Sequence, residues 1–363
     1  MRKKKILFVS AKGTGISADK MRIRYFRQAL ETSGYNFINF EMNLSGFRKF
    51  IFYLFKFPPK GLVDVAENSD LIMATSPPLI NAILSYKVAK NLRKPLIVDV
   101  RDIWEEYAKT AHFLMYNAGV IPRLIREYYM ALNYSSKIIT VTEILKQYYE
   151  RKLDVNKKDD IVLISNGTDT DLIKLNEEIK REIDAVCLVD LNQPYHNLEF
   201  LFNALKLEKK LTLMVIGGGK YLYELKKTVR RLGISDRVSF VGWVPYENLS
   251  AYLCRARIGV VGRPFLSNIG YLCAIPVKTY DYLAAGLPIV AYGPKNSALE
   301  EFIKKNDVGT YIDYPDPERL CSELVRLSAE HERYIERARA LAMKFDRKEL
   351  SKKLVEVVNS ILN

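Results

Sequence analysis

The chain has 363 residues, which is enough for two domains of ordinary size and more than one small core requires. Its composition of 48% hydrophobic and 27% charged residues excludes a disordered or fibrous protein. The formal net charge of +14 is uneven, because residues 1–60 carry thirteen Lys and Arg against three acidic residues and so contribute +10 of it. A basic amino-terminal part indicates an anionic partner: a phosphate-bearing substrate, an acidic membrane or a nucleic acid.

Cysteine usage and the apolar runs indicate the cellular setting. The four cysteines lie far apart without a C-x-x-C pair, so we expect neither a zinc site nor a disulfide framework, and a reducing cytoplasm fits best. No stretch reaches 18 uninterrupted apolar residues, and the run after the basic start is too short for a signal peptide. The many Lys, Glu and Tyr residues beside three Gln are typical of a heat-loving source.

Short β-rich runs alternate with helical stretches, such as 18–33 and 81–92, through the first half of the chain. The strands are predicted at 5–10, 35–40, 70–74, 95–100, 137–141 and 161–164. The second half repeats this layout, with strands predicted at 184–189, 211–216, 237–241, 257–261, 287–291 and 309–312. Strands spaced by helices predict parallel, doubly wound sheets.

The fold class that follows is α/β, with two Rossmann-like doubly wound domains facing a cleft. The polar stretch after residue 164, with its Asn-Gly turn signal, places one domain at 1–165 and the other at 166–345. Residues 346–363 have the pattern of an amphipathic helix, which we expect to pack back on the first domain. Sheets of this kind bind ligands beyond the carboxyl ends of their strands.

A glycine-rich turn follows the first strand. Gly13 and Gly15 open the sequence G-x-G-x-x-A, in which glycines let the backbone approach a phosphate at a helix amino terminus. With Glu41 on a ribose, this is a dinucleotide site; the alternative is a plain strand-to-helix turn. Four cations crowd the same turn and favour an anion: Lys12, Lys20, Arg22 and Arg24.

Residues 47–57 contain six aromatic side chains in eleven, interleaved with cations. This pattern suits a membrane interface or an acceptor lipid, whereas the alternative is an ordinary buried helix with a charged edge. Single-stranded nucleic acid can use the same residue types, but we expect no nucleic-acid partner. The candidate membrane or acceptor residues are Arg48, Lys49, Phe50, Phe52, Phe55 and Lys56.

The sequence Asp-Val-Arg-Asp-Ile-Trp at 99–104 ends the fourth predicted strand. Asp99 is expected to brace the loop, Asp102 to act as a base or orienting group, and Arg101 to contact a phosphate. A purely structural Arg–Asp pair is the alternative. The three histidines have no metal-ligand spacing, so no metal site is expected.

Several motifs, in this order and spacing, resemble GT-B glycosyltransferases of family four, the glycogen-synthase and mannosyltransferase-like "group 1" enzymes. The strongest are LMVIGGG at 213–219, LGISDRVSFVGWV at 232–244 and PVKTYDYLAAGLPIV at 276–290. The turn ISNGTD at 164–169 and the segment DVRDIW at 99–104 are also similar to family segments.

The resemblance implies retaining transfer of a sugar from a nucleotide-diphosphate donor, with no cofactor and no obligatory metal. The first domain would take the acceptor and the second the donor. The base would lie on the loop of Gly242 and Val244, the ribose on Asp281, and the diphosphate on Lys278 and the backbone of Thr279. In the family the amino-terminal glycine loop also approaches the diphosphate.

Three departures from the family pattern stand out. The first Glu of the E-x7-E motif falls on Cys273, and the Arg and Lys that grip the diphosphate fall on Leu191 and His196. Arg263, after a strand, is the expected replacement beside Lys278. Because the family's Glu, Arg and Lys are missing, the protein could use a different donor or be a non-catalytic subunit.

The leading hypothesis is a glycosyltransferase that assembles a lipid-linked or surface glycan, cytoplasmic and peripheral on the inner face of the cell membrane. A polyprenyl phosphate acceptor accounts for the cations and for the aromatic segment together. The alternatives are a non-catalytic, glycosyltransferase-like binding subunit and a nicotinamide-dependent oxidoreductase that uses the glycine-rich turn and Glu41. The oxidoreductase hypothesis leaves the carboxyl-terminal half of the chain unexplained.

Overall fold

The computed structural model describes residues 2–12, 18–43, 55–111, 113–192 and 196–362. The chain divides into two compact units. Unit 1 comprises Met1–Asn166 and Arg347–Asn363, and unit 2 comprises Gly167–Asp346. Within the described residues, no helix combines the length and the apolar character needed to cross a bilayer.

The first 166 residues alternate strands and helices. In chain order they are β1 (Lys5–Ala11), α1 (Ala18–Thr32), β2 (Asn36–Met42), α2 (Lys60–Glu67), β3 (Leu71–Ser76), α3 (Leu79–Leu92), β4 (Leu96–Val100), α4 (Trp104–Ala111), α5 (Phe113–Asn117), α6 (Val120–Tyr134), β5 (Lys137–Thr140), α7 (Glu143–Lys152) and β6 (Ile161–Leu163).

Unit 2 repeats the alternation. Its elements are β7 (Ile183–Leu188), α8 (Leu198–Leu207), β8 (Leu213–Ile216), α9 (Leu222–Arg231), β9 (Val238–Gly242), α10 (Leu249–Leu253), β10 (Ala256–Gly262), α11 (Ile269–Cys273), α12 (Lys278–Ala284), β11 (Ile289–Tyr292), α13 (Ala298–Asn306), β12 (Gly309–Ile312), α14 (Pro317–Glu330) and α15 (Ile335–Lys344).

The last helix, α16 (Arg347–Leu362), belongs to unit 1 and packs on α1. Tyr35 Oη donates to Asn359 Oδ1 at 2.5 Å, and Lys4 Nζ donates to the carbonyl of Leu362. The guanidinium of Arg347 lies 5.8 Å from the ring centre of Tyr25. The chain therefore returns to its first unit after completing the second.

Each unit is built on one six-stranded parallel sheet, so the predicted fold class is confirmed. The strand order is β2-β1-β3-β4-β5-β6 in unit 1 and β12-β11-β10-β7-β8-β9 in unit 2. Strands β3 and β4 are buried along their whole length because helices cover both faces of such a sheet. All twelve predicted strands are present, with ends shifted by at most two residues.

The strand order fixes where each sheet can hold a ligand. In unit 1 the chain turns from β2 back to β3 on the other side of β1, and in unit 2 it turns from β9 back to β10 on the other side of β7. The crevice beyond the carboxyl ends of such neighbours is the usual binding site of an open α/β sheet. A ligand is therefore expected at the carboxyl ends of β1 and β3 in unit 1, and at the carboxyl ends of β7 and β10 in unit 2.

Candidate functional site

A half-buried lysine lies at the carboxyl end of β7 in unit 2. The Nζ of Lys278, the first residue of α12, donates to the carbonyl of Leu188 and lies 3.4 Å from His196 Nδ1. Burial is the main cause that lowers the pKa of Lys278 to about 8, and Arg263 lowers it further. A desolvated cation of this kind is stabilised by a bound anion.

His196 lies beside Lys278 as an uncharged group. Burial, followed by the charges of Lys278 and Arg263, lowers the pKa of His196 to about 2. Its Nε2 accepts from the backbone N–H of Asp190 at 3.2 Å. The low pKa favours the uncharged imidazole at the position where the family has a cation.

Arg263 follows β10, the strand next to β7. Its backbone N–H donates to the carbonyl of Tyr292 at 2.9 Å, and its guanidinium lies 5.9 Å from the ring centre of Tyr271. Since its charge lowers the pKa values of both Lys278 and His196, the structure brings the three predicted donor-site residues together. The switch point of unit 2 thus holds two cations, Lys278 and Arg263, with the carboxylates of Asp190 and Asp281 near enough to raise the pKa of Lys278.

Tyr282 connects the two strands that border this site, and it was not among the residues predicted from the sequence. Its Oη accepts from the backbone N–H of Leu188 at 2.6 Å and donates to the carbonyl of Val260 at 3.3 Å, which ties β7 to β10. A Cβ at Gly259 would lie 2.4 Å from the tyrosine ring, so the glycine makes room for it. Gly259 lies inside strand β10, and a glycine within a strand often marks the close approach of another group. The sequence therefore did contain a sign of this contact.

The glycine run after β8 holds the loop that follows β7. A Cβ at Gly217 would lie 1.8 Å from the carbonyl oxygen of Val189, and one at Gly219 would lie 2.3 Å from the carbonyl carbon of Leu191. Gly217 and Gly219 have φ of +133° and +146°, where side chains are rarely tolerated. The glycines therefore serve close packing of two loops. Beside them, Leu191 and His196 help line a cavity of about 280 Å³.

Two groups predicted to contact the donor already have hydrogen-bond partners in the structure. The backbone N–H of Thr279 donates to the carbonyl of Pro276 at 2.9 Å, so it is already used when the chain enters α12. Asp281 is 4% exposed, and its Oδ1 accepts from Thr168 Oγ1 and Tyr246 Oη, each at 2.8 Å. The carboxylate is thus held inside unit 2 by hydroxyl donors on Oδ1, and its contact with a ribose stays a prediction.

The remaining unit 2 predictions fall on the loop after β9 and on α11. Gly242 has φ of +86° and its carbonyl accepts from Gly217 N–H at 2.7 Å, which joins this loop to the glycine run. Val244 is half-buried, while the neighbouring Trp243 is 68% exposed. Cys273 is buried, so it takes no position equivalent to an open carboxylate.

In unit 1, Asp99 braces the end of β4 by a buried ion pair. Arg22 Nε and Nη2 donate to the two Asp99 carboxylate oxygens at 3.0 and 2.9 Å. The same guanidinium donates to the carbonyls of Ile164 and Ser165. Asp99 braces the end of β4 as expected, and Arg22, predicted as one of the anion-binding cations, is buried in this pair.

Arg101 and Asp102 follow β4. The Asp102 Oδ1 accepts from the backbone N–H of Ile103 at 2.8 Å, and the Arg101 N–H donates to the carbonyl of Ser76 at 2.8 Å. Arg101 also lines a cavity of about 340 Å³ at the switch point of unit 1. Lys20, Arg24 and Glu41 line the same cavity, which brings the predicted anion-binding cations Lys20, Arg24 and Arg101 together with the predicted ribose-binding Glu41.

A buried carboxyl lies one turn further on. Glu105 is 1% exposed, and its Oε1 accepts from Tyr149 Oη at 2.9 Å and from Tyr129 Oη at 3.2 Å. Its Oε2 accepts no hydrogen bond within the described chain. Burial raises the pKa of Glu105 to about 7. No sequence pattern pointed to it, because its partners lie 24 and 44 residues away.

The aromatic segment is described only from residue 55 onward. Phe55 and Phe57 are 60% and 72% exposed, with ring centres 6.5 Å apart. Lys56 is 3% exposed and its Nζ donates to Glu127 Oε1 at 2.6 Å, so the expectation of a surface cation there was wrong. The other predicted residues lie outside the described residues: Gly13, Gly15, Arg48, Lys49, Phe50 and Phe52.

Comparison with known sequences points to one family. Residues 182–330 match the family described as Glycosyl transferases group 1. The amylovoran biosynthesis glycosyltransferase AmsK of Erwinia amylovora is 32% identical over 115 residues, which are 31% of this chain and 27% of that protein. A GDP-mannose-dependent alpha-(1-6)-phosphatidylinositol monomannoside mannosyltransferase of Mycobacterium tuberculosis is 27% identical over 133 residues, 36% of this chain and 32% of that protein. The matches thus span about a third or less of these relatives.

Comparison with solved structures covers nearly the whole chain. HepE of Anabaena in complex with UDP superposes with a TM-score of 0.74 and 16% identity, over 98% of this chain and 100% of that chain. The sucrose-phosphate synthase of Thermosynechococcus elongatus gives a TM-score of 0.76 and 16% identity, over 99% of each chain. These likenesses establish the GT-B fold.

Proposed function

We propose that this protein is a glycosyltransferase that uses a nucleotide-diphosphate sugar, because residues 182–330 match the glycosyl transferases group 1 family and the chain has the GT-B fold. Unit 2 binds the donor and unit 1 binds the glycan acceptor. The observation that carries the proposal is the half-buried cation of Lys278 at the switch point of unit 2, next to Arg263 and His196.

The donor diphosphate lies against Lys278 and Arg263 in this proposal. Charge-assisted hydrogen bonds from a desolvated ammonium and a guanidinium neutralise the leaving group as its bond to the sugar breaks. The loop of Gly242 and Val244 contacts the base. Asp281 supports the site from behind through Thr168 and Tyr246, and the transfer retains the configuration of the sugar without an obligatory metal.

The acceptor is a lipid-linked or surface glycan, and the enzyme works at the inner face of the membrane. The names of the relatives support this part: one acts in amylovoran biosynthesis and another on a phosphatidylinositol monomannoside. Phe55 and Phe57 form an exposed aromatic pair on unit 1 that suits a membrane interface. Arg101 and Asp102, after β4, contact the acceptor or the transferred sugar.

A non-catalytic binding subunit is the second candidate. It is favoured by the neutral state of His196, which lies where the family has a cation, and by the burial of Cys273 where the family has a carboxylate. Such a subunit would bind a nucleotide or a glycan but release no product.

The donor site is tested by thermal-shift measurements with UDP, GDP, ADP, dTDP and their sugar conjugates. We expect one nucleoside diphosphate to raise the melting temperature of the native protein. Lys278→Ala should abolish the shift, whereas Lys227→Ala, an exposed lysine of α9, should keep it. Folded protein that responds to none of these nucleotides, or an equal response in both variants, would contradict the proposal.

A further inference from the structure

The cavity of unit 1 lies at the switch point of its sheet. Ser10 and Ala11 contribute the carboxyl end of β1, and Thr75 contributes that of β3. The cavity has a volume of about 340 Å³, which is in the range of small-molecule sites. Its position is the one that the strand order alone selects for a ligand.

One wall of the cavity is a basic face of α1. Lys20, Arg24 and Arg27 are spaced by four and three residues, so they project from the same side of the helix. Arg22 lies on the opposite side and is buried against Asp99. The helix therefore separates one structural arginine from a row of cations that line the cavity.

The charges around the cavity are strongly unequal. Arg101 adds a fourth cation from the end of β4, and among the described lining residues Glu41 is the single carboxylate. Arg27 also pairs with Glu31 at 2.8 Å on the exposed side of the helix, so its charge is partly compensated. Like charges that converge on one cavity repel one another, and an anion between them removes that repulsion.

The part of the lining that comes from β2 carries hydrogen-bonding groups rather than cations. Asn39 and Glu41 point to the same side of β2 because they are two residues apart, and Ser10 Oγ donates to Asn39 Oδ1 at 3.1 Å. A carboxylate and an amide can bind sugar hydroxyls, whereas a phosphate would be repelled by Glu41. The cavity thus has a basic side and a side suited to hydroxyl groups.

We propose that this cavity binds the phosphorylated end of the acceptor, with a phosphate or diphosphate on Lys20, Arg24 and Arg101 and a sugar on Asn39 and Glu41. The proposal rests on the proposed function and specifies its acceptor as a phosphate-bearing glycan. A solvated helix face would also carry cations, but it would not need them to line a cavity together with residues from three strand ends.

The test is isothermal titration calorimetry of the full chain with inorganic pyrophosphate. It is done in the Lys278→Ala background, which removes the other cationic site. We expect saturable binding that Arg24→Gln and Lys20→Gln each weaken about fivefold or more. Arg126→Gln, an exposed arginine of α6 that does not line the cavity, should leave the affinity unchanged.

A substitution at Glu41 should change the affinity for pyrophosphate in the opposite direction. Glu41→Gln removes the carboxylate beside the anion and should strengthen pyrophosphate binding about twofold or more, since a like charge is lost. Glu67→Gln, at an exposed site of α2, makes the same change in net charge and should have no effect. Binding that follows net charge alone, equal in the cavity variants and their controls, would overturn the proposal, as would the absence of saturable binding.

Competition identifies the source of the phosphate. Displacement of pyrophosphate by glucose 1-phosphate supports a soluble phosphorylated acceptor. Displacement by phosphatidylcholine vesicles that contain farnesyl diphosphate, but not by plain vesicles, supports a lipid-linked acceptor, and displacement by neither would overturn the proposal. Nucleotide binding by the native protein is measured separately, so failure of the donor site and failure of this cavity give different results.

Discussion

At the residue scale, Lys278 is a half-buried cation whose pKa is lowered to about 8, mainly by desolvation. Nucleoside diphosphate binding requires the protonated ammonium, and burial makes the proton easy to lose. The affinity should therefore be constant below pH 8 and fall about tenfold per pH unit above it. Titration calorimetry between pH 6.5 and 9.5 measures this dependence.

Two variants serve as the comparison for this pH profile. Lys278→Met should bind weakly at every pH and show no such fall, while Lys227→Met should behave like the native protein. A native affinity that is flat from pH 7 to pH 9.5 would show that Lys278 does not carry the bound anion.

Also at the residue scale, Glu105 should make the stability of the protein depend on pH. Its folded pKa is about 7 against an ordinary value of 4.5, so the folded state holds the proton more tightly than the unfolded chain does. This contribution is fully present below pH 4.5 and is lost as the pH rises through 7. At roughly 1.36 kcal/mol per pKa unit, it amounts to about 3 kcal/mol.

The measurement is urea unfolding of the full chain between pH 4.5 and 8. Glu105→Gln keeps the side chain neutral at every pH and should flatten the dependence. Glu106→Gln, at the neighbouring residue, whose Oε1 accepts from Tyr148 at 3.0 Å, should retain most of it. An equally steep loss of stability in Glu105→Gln would sink this explanation.

At the element scale, the Arg22–Asp99 pair connects α1, β4 and the end of β6. Removing one partner leaves a buried charge uncompensated, so Arg22→Met or Asp99→Leu should each lower the free energy of unfolding by about 3–5 kcal/mol. The double variant should lose much less than the sum of the two. Chemical denaturation followed by circular dichroism measures all three.

The matched control for this pair is Arg27→Met on the same helix. Arg27 pairs with Glu31, but both side chains are exposed at 59% and 42%, and such pairs contribute less than about 1 kcal/mol. If Arg22→Met and Arg27→Met cost the same, the buried pair does not hold these elements together.

The helices and strands were largely predictable, because each has a pattern of apolar residues within its own stretch of sequence. Parallel strands buried on both faces appear as short apolar runs, and the helices between them have their own period, so all twelve strands were found. Burial of single polar residues was not predictable. Lys56 pairs with Glu127, 71 residues away, and Asp281 accepts from Thr168, 113 residues away, and no local pattern encodes such contacts.

At the scale of the whole molecule, the net charge of +14 and the exposed pair Phe55 and Phe57 predict binding to anionic membranes. The Phe55→Ser and Phe57→Ser double variant should reduce flotation with phosphatidylglycerol vesicles, because the rings no longer enter the interface. Leu207→Ser, which removes a side chain 54% exposed on unit 2, is the control. Unchanged flotation of the double variant would rule out this contact.

The departures from the family pattern also concern the whole molecule. At the switch point of unit 2 the cations are Lys278 and Arg263, while burial and these two charges lower the pKa of His196. The sequence identified these three residues, but their mutual distances and protonation states required the structure.

The central claim is that the protein turns over a nucleotide sugar. The most direct test is the release of nucleoside diphosphate from the nucleotide sugar that binds, measured with a membrane glycolipid extract as acceptor. We predict release by the native protein and by Lys227→Ala, with a loss of at least about 100-fold in Lys278→Ala, the size seen when one transition-state charge contact is removed. Binding without any release would contradict the account and identify the protein as a non-catalytic subunit.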